Sequence, residues 1–233
     1  MQYLALCKLF SLLSLASGFV SHSFGISNGN TAKTSSLFGK NKDAEVSQAQ
    51  ALPIGAFVEF KEKDRSIIGK IDKVEHKSSG GARYRILDTD NKPHNVAAKS
   101  IEYSMACPNS PGQATKLFDE FTTVHEASQQ QLQKSLEISP DLIEMVWETV
   151  AEEEHSEVTP NSFVELIHSH AASTIEKYMA WKLLRTEMAH IFFREIKDHG
   201  IVVSFKARAK NAVVAAKKHF CATHIDDNEI CFV

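Results

Sequence analysis

From Ile54 onward the spacing of apolar residues changes character twice. Phe57-Val58-Glu59-Phe60 and Ile67-Ile68-Gly69-Lys70-Ile71 are apolar runs of strand length, and Arg83-Tyr84-Arg85-Ile86-Leu87 alternates with a period of two. Ser78-Ser79-Gly80-Gly81 and Asp88-Thr89-Asp90-Asn91 punctuate them with turn chemistry that tolerates positive φ. Short strands packed into residues 54–105 predict a small SH3-like β-barrel. Gly69, inside a strand, marks a bend where such a barrel turns a corner.

Past the break Pro108-Asn109-Ser110-Pro111-Gly112 the period becomes helical. Leu117, Phe118, Phe121 and Val124 recur at three- and four-residue spacing. Ser139-Pro140 opens a second helix with Leu142, Ile143, Val146, Trp147 and Val150 on one face. Thr159-Pro160 opens a third, with Phe163, Leu166, Ile167 and His170. Ser173-Thr174-Ile175-Glu176 is a capping box for a fourth, in which side chain and backbone satisfy each other's first-turn donors. A hairpin follows. Its first strand begins irregularly at Ile191-Phe192-Phe193, Asp198-His199-Gly200 forms the turn, and Ile201, Val203, Phe205 and Ala207 alternate with Val202, Ser204, Lys206 and Arg208. "KNAVVAAKKHF" forms a further helix. Helices followed by a ribbon are the element order of a winged helix-turn-helix. The expected fold is α+β: the barrel, then a helical winged-helix-like domain over residues 112–220 with the hairpin as its wing, then a tail over 221–233.

Net charge is −3 over 233 residues, which specifies no partner by itself. Its distribution does more. Between Leu136 and Glu176 the charged residues are Glu137, Asp141, Glu144, Glu148, Glu152, Glu153, Glu154, Glu157, Glu165 and Glu176, all acidic. Between Lys177 and Lys218 ten lysines and arginines face only Glu187, Glu195 and Asp198. This reversal points to a polyanion at the basic third, or to two differently solvated faces. On the fourth helix Lys177, Tyr178, Trp181, Lys182 and Arg185 share an arc of roughly 140° at 100° per residue. Cations answer phosphates and ring faces answer bases, so this arc is a candidate nucleic-acid surface. The alternative makes Tyr178 and Trp181 core residues with the cations at their edge. Arg194, Lys197, Lys206, Arg208 and Lys210 of the wing and its exit complete the candidate set. Arg83, Tyr84 and Arg85 present the same choice between an RNA contact and a strand with one core aromatic.

Cys7, Cys107, Cys221 and Cys231 form no CxxC pair, so neither a zinc site nor a disulfide framework is expected. The start, "MQYLALCKLFSLLSLASG", reads as a signal peptide over 1–18, with Lys8 before an apolar stretch and small residues at its end. From Phe19 to Lys42 the chain has no acidic residue and many Ser, Thr, Asn and Gly, as transit peptides do. Residues 19–53 are therefore assigned to a transit peptide and linker. "ASG" followed by Phe19 resembles the bipartite presequence of algae with secondary plastids, which implies a plastid destination. No mature membrane segment is expected.

"GAFVEFKEKD" together with "TPNSFVELI…YMAWKLL…HIFFREIK" resembles the N-terminal region of ribonuclease II/R family exoribonucleases of the cyanobacterial and plastid branch, over about residues 54–220. The resemblance implies hydrolysis of RNA from its 3′ end by a central domain whose aspartates hold divalent metal such as Mg. That domain has no counterpart here. "HIDDNEI" with Asp226, Asp227 and Glu229 is a polar tail, and "DTDN" is a turn. No catalytic residue and no cofactor is assigned to this chain, which is expected to be inactive alone, as a truncated product or an accessory protein. The ending "NEICFV" favours truncation. Three readings follow: an RNA-binding accessory region for single-stranded RNA, a module docking a protein partner such as the absent catalytic body, or a winged-helix DNA-binding regulator.

Overall fold

The computed structural model describes residues 51–76, 81–152, 157–198 and 200–223. The leader over 1–50, Lys77 to Gly80, Glu153 to Ser156, His199 and the tail from 224 onward lie outside the described residues.

The first half is a five-stranded antiparallel sheet of β1 (Phe57–Glu62), β2 (Arg65–His76), β3 (Ala82–Asp88), β4 (Pro93–Ala97) and β5 (Ile101–Met105), in the order β4-β3-β2-β1-β5. Lys63 and Asp64, both at positive φ, make the two-residue turn between β1 and β2. Asp88 closes the next turn, its Oδ1 accepting from the backbone N–H groups of Asp90 and Lys92. Gly69 is a close approach between strands: a Cβ there would stand 2.4 Å from the carbonyl oxygen of Leu87.

The expected closed barrel is corrected to an open sheet, since no ladder joins β4 to β5 among the described residues. A 3-10 turn at Ala98–Ser100 carries the chain from one edge to the other. There β5 turns Tyr103 toward the helices, its ring in tilted contact with those of Tyr178 and Trp181 at centroid distances of 4.9 and 5.0 Å.

β1 explains how the two halves join. All of Phe57, Val58, Glu59 and Phe60 are buried, so this strand is covered on both faces. Val58 and Phe60 pack inside the sheet with Ile71, Tyr84, Ile86 and Ile101. Phe57, with Ile68 and Met105, packs instead into the core of the helical half, beside Phe121, Tyr178 and Trp181. The division expected between residues 105 and 112 therefore falls inside a shared core.

The helical half comprises α1 (Pro111–Glu126), α2 (Gln129–Ser135), α3 (Pro140–Ala151), β6 (Glu157–Val158), α4 (Pro160–His168), α5 (Thr174–Leu184), α6 (Glu187–Phe192), β7 (Phe193–Asp198), β8 (Ile201–Ala207) and α7 (Lys210–Thr223). Its starts are chemically marked. Proline stands in the first turn of α1, α3 and α4, and capping boxes open α2, α4 and α5, the last through Ser173 and Glu176 as the sequence predicts. The hairpin's expected start is revised. Ile191 and Phe192 belong to α6, and β7 begins at Phe193. All three are buried, so they carry no periodicity by which helix and strand differ. β6, β8 and β7 form a sheet in that order, with β8 central.

Candidate nucleic-acid interface

The arc read on α5 is not a surface. Tyr178 and Trp181 are fully buried, with Ala180, Leu183 and Leu184 on the remaining sides. The covering element is the five-stranded sheet. Tyr178 donates its hydroxyl proton to Glu59 Oε2 at 2.5 Å, and Ser66 donates to Glu59 Oε1. Because that proton is committed, His125 Nδ1, 3.2 Å away, must donate to the Tyr178 oxygen. Burial works to raise the Glu59 pKa, but His125, 3.8 Å away, and hydrogen bonds from Ser66 and Tyr178 outweigh it and hold the carboxyl at about 2. Burial, with the Glu59 charge and bond, pushes the Tyr178 hydroxyl far above its ordinary range. A tyrosine so placed cannot stack on a base.

The cations of this arc are also engaged. Lys182 donates to the carbonyls of His125 and of Val124, which also accepts from Ala127 N–H, at the end of α1. Its pKa is lowered by burial, against the pull of Glu59. Arg185 donates from Nε to Glu195 at 2.9 Å and from Nη1 to Glu102 at 3.3 Å, lying 4.3 Å from the Trp181 ring centroid. Burial would lower the Arg185 pKa, yet these two carboxylates raise it. The indole N–H of Trp181 has no acceptor among the described residues. Lys177 is half-buried at the start of α5. In the first sheet Tyr84 is likewise core, its hydroxyl accepting from Leu52 N–H, while Arg85 faces Asp72 at 3.3 Å.

The wing divides in two. At the tip, Gly200 lies against the first sheet, where an added Cβ would stand 3.5 Å from the Lys99 carbonyl oxygen. Lys197 is exposed but paired with Glu195 at 2.9 Å. The base of the wing differs. Arg194, Lys206 and Arg208 line one open groove of about 760 Å³ with His190, Phe193 and Ala212. Arg194 and Lys206 are cross-strand partners in the β7–β8 register, while Glu157 of β6 stands opposite Lys206 on its other side and offsets the like-charge juxtaposition. Neither makes an ion pair among the described residues. Arg208 is held by its backbone, its N–H donating to Phe192 O and its carbonyl accepting from Trp147 Nε1. It donates from Nη1 to His190 O at 2.8 Å, leaving the rest of the fork for a ligand. Glu195 also lines the groove, but its carboxylate is held by Arg185 and Lys197. Lys210, at the start of α7, is exposed.

The structure thus brings three predicted residues, Arg194, Lys206 and Arg208, to one site and separates them from the α5 set. His190 was missed by sequence reasoning; its carbonyl contact with Arg208 has no local signal. Among the described residues no group of three or more His, Cys, Asp or Glu is arranged to hold a metal ion. No helix there is long and apolar enough to cross a membrane.

Helices α3, α4 and α5, the β6-β8-β7 sheet and the hairpin following α6 stand in the order of a winged-helix domain. Residues 128–212 match the family model described as "Ribonuclease II, winged helix domain", so the chain carries a domain of that type from the cap of α2 into the first turn of α7. No curated protein matches the chain.

Proposed function

We propose that this chain is an RNA-binding accessory region of a ribonuclease II/R-type exoribonuclease of the cyanobacterial and plastid branch, acting in RNA processing and decay. Hydrolysis belongs to a catalytic body outside these residues. The observation that carries the reading is the convergence of Arg194, Lys206 and Arg208 on one groove, with Arg194 and Lys206 opposed across strands and neither in an ion pair among the described residues. Such an arrangement is stabilised when phosphates enter it. The winged-helix match supplies the ribonuclease context. The acid-free composition of Phe19 to Lys42 supports delivery to a plastid.

Duplex DNA is disfavoured by the placement of α5. A helix-turn-helix reads DNA with its second helix in the major groove, and here that helix is sealed under Glu59, Glu102 and Tyr103. The test is binding of a labelled oligoribonucleotide to the full chain across a salt series. The logarithm of affinity falls against that of salt with a slope of about −2 for phosphates held by the groove cations. Lys206→Glu flattens it. Affinity independent of salt, or a competing DNA duplex that binds more tightly, contradicts the proposal.

A further inference from the structure

The three groove cations are held in different ways. Arg194 on β7 and Lys206 on β8 sit in the ladder that pairs those strands, so the direction of each side chain follows from register. Arg208 belongs to neither a strand nor a helix. β8 ends at Ala207 and α7 begins at Lys210, which leaves Arg208 and Ala209 as the whole connection. A linker residue has no period to aim its side chain. Something else must aim this one.

That something is α3. Trp147 donates its indole N–H to the Arg208 carbonyl at 2.8 Å, across 61 positions of sequence. On the other side the Arg208 backbone N–H donates to Phe192 O, also at 2.8 Å. Both peptide groups flanking the Arg208 Cα are thereby fixed, and with them the direction in which its Cβ leaves the chain. Trp147 is itself immobilised. It is buried, its ring lies 5.8 Å from that of Phe192, and Ile143, Val146 and Val150 are buried on the same helix. Glu144, one turn earlier on α3, accepts from Lys217 of α7, so the same helix also holds the element that follows the linker.

We infer that Trp147 is a positioning residue of the RNA site, holding Arg208 in the orientation in which its guanidinium meets a phosphate. This rests on the phosphate-groove reading above and adds to it a residue that does not line the groove. An arginine ordered before binding does not lose its rotamer freedom to the ligand, and affinity rises by what that ordering would have cost. The charged residues of α3 are all acidic, so the acidic stretch shapes the cationic groove without placing a charge in it.

The full chain is titrated with a labelled oligouridylate across a salt series, alongside Arg208→Ala, Trp147→Phe and the double variant. Phenylalanine keeps a ring against Phe192 and removes the indole donor. Each single variant weakens binding roughly fivefold. Each also makes the salt slope shallower by about 0.7, the share of one single-strand phosphate. The double variant binds as Arg208→Ala does, because the tryptophan acts only through that arginine. If Trp147→Phe leaves affinity unchanged, keeps the parental slope, or adds its loss in full to that of Arg208→Ala, the positioning role is refuted while the groove stands. If Arg208→Ala changes neither affinity nor slope, the groove reading itself is refuted at Arg208. A second measurement covers the case in which Trp147→Phe does not fold. The sequence holds two tryptophans, and Trp181 Nε1 has no acceptor among the described residues, so its indole signal is an internal reference. Added RNA moves the Trp147 indole N–H resonance of the parent, leaves that of Trp181, and moves neither in Arg208→Ala. A Trp147 signal unmoved at saturating RNA refutes the inference.

Discussion

The hydroxyl of Tyr178 on α5 and the carboxylate of Glu59 on β1 meet at 2.5 Å across 119 positions of sequence. That bond turns inward the helix on which a nucleic-acid surface is expected. Glu59 is 4% exposed, so its charge depends on Tyr178, Ser66 and His125 for what water would otherwise provide.

Acid stability follows from this pair. The Glu59 pKa falls from 4.5 to about 2 on folding, so the group stabilises the fold fully above 4.5 and loses that contribution as pH drops toward 2. At roughly 1.4 kcal/mol per unit, the contribution is about 3 kcal/mol. Asp88 and Glu195, also depressed, act in the same direction. Urea unfolding of Glu59→Gln and the parent gives midpoints well apart near neutral pH that converge in acid. A gap independent of pH contradicts the assignment.

Tyr178→Phe removes one donor from a buried carboxylate and costs about 1–3 kcal/mol, read from denaturant melts. Its affinity for RNA is unchanged, because no ligand reaches the ring. A loss of RNA binding in the folded variant returns α5 to the interface.

Arg185→Ala leaves Glu102 and Glu195 without their shared guanidinium and uncovers Trp181, lowering stability by about 2–3 kcal/mol. Glu195→Gln removes one of the two carboxylates and costs less. Because Glu195 lines the cationic groove, Glu195→Gln does not weaken RNA binding measured by anisotropy, and a loss of affinity in the folded variant is the contrary result.

Gly69→Ala forces a methyl to within 2.4 Å of the Leu87 carbonyl oxygen, where backbone must move. The expected cost is about 1–3 kcal/mol, seen as a lowered melting temperature. Gly112→Ala, with open space around it, serves as the neutral control.

Local chemistry made much of the fold legible. The proline starts and the Ser173–Glu176 box each act within a few residues, so their reading survives any tertiary arrangement; the alternation expected in β8 does not, since Val202 and Ser204 are buried and Val203 is exposed. What was illegible depends on partners distant in sequence. Glu59 reads as the polar member of a strand and is buried because α5 covers that face. The α5 arc holds the right residue types for RNA, but the same cations and rings serve a buried joint equally well once carboxylates oppose them. Of the basic third, Arg194, Lys206 and Arg208 come together on one groove without an ion pair among the described residues, although Glu157 of β6 stands opposite Lys206 and Glu195 lines the same wall. Barrel closure could not be read either, since β4 and β5 carry no pattern that states whether their edges meet.

The central claim is that RNA engages the base of the wing and not α5. Backbone amide shifts of the isotopically labelled full chain, followed while a short oligoribonucleotide is added, test it most directly. The account predicts perturbations at Arg194, Lys206, Arg208 and Ala212, with Ile175 to Leu184 unmoved. Shifts centred on α5, or none at saturating RNA, contradict it.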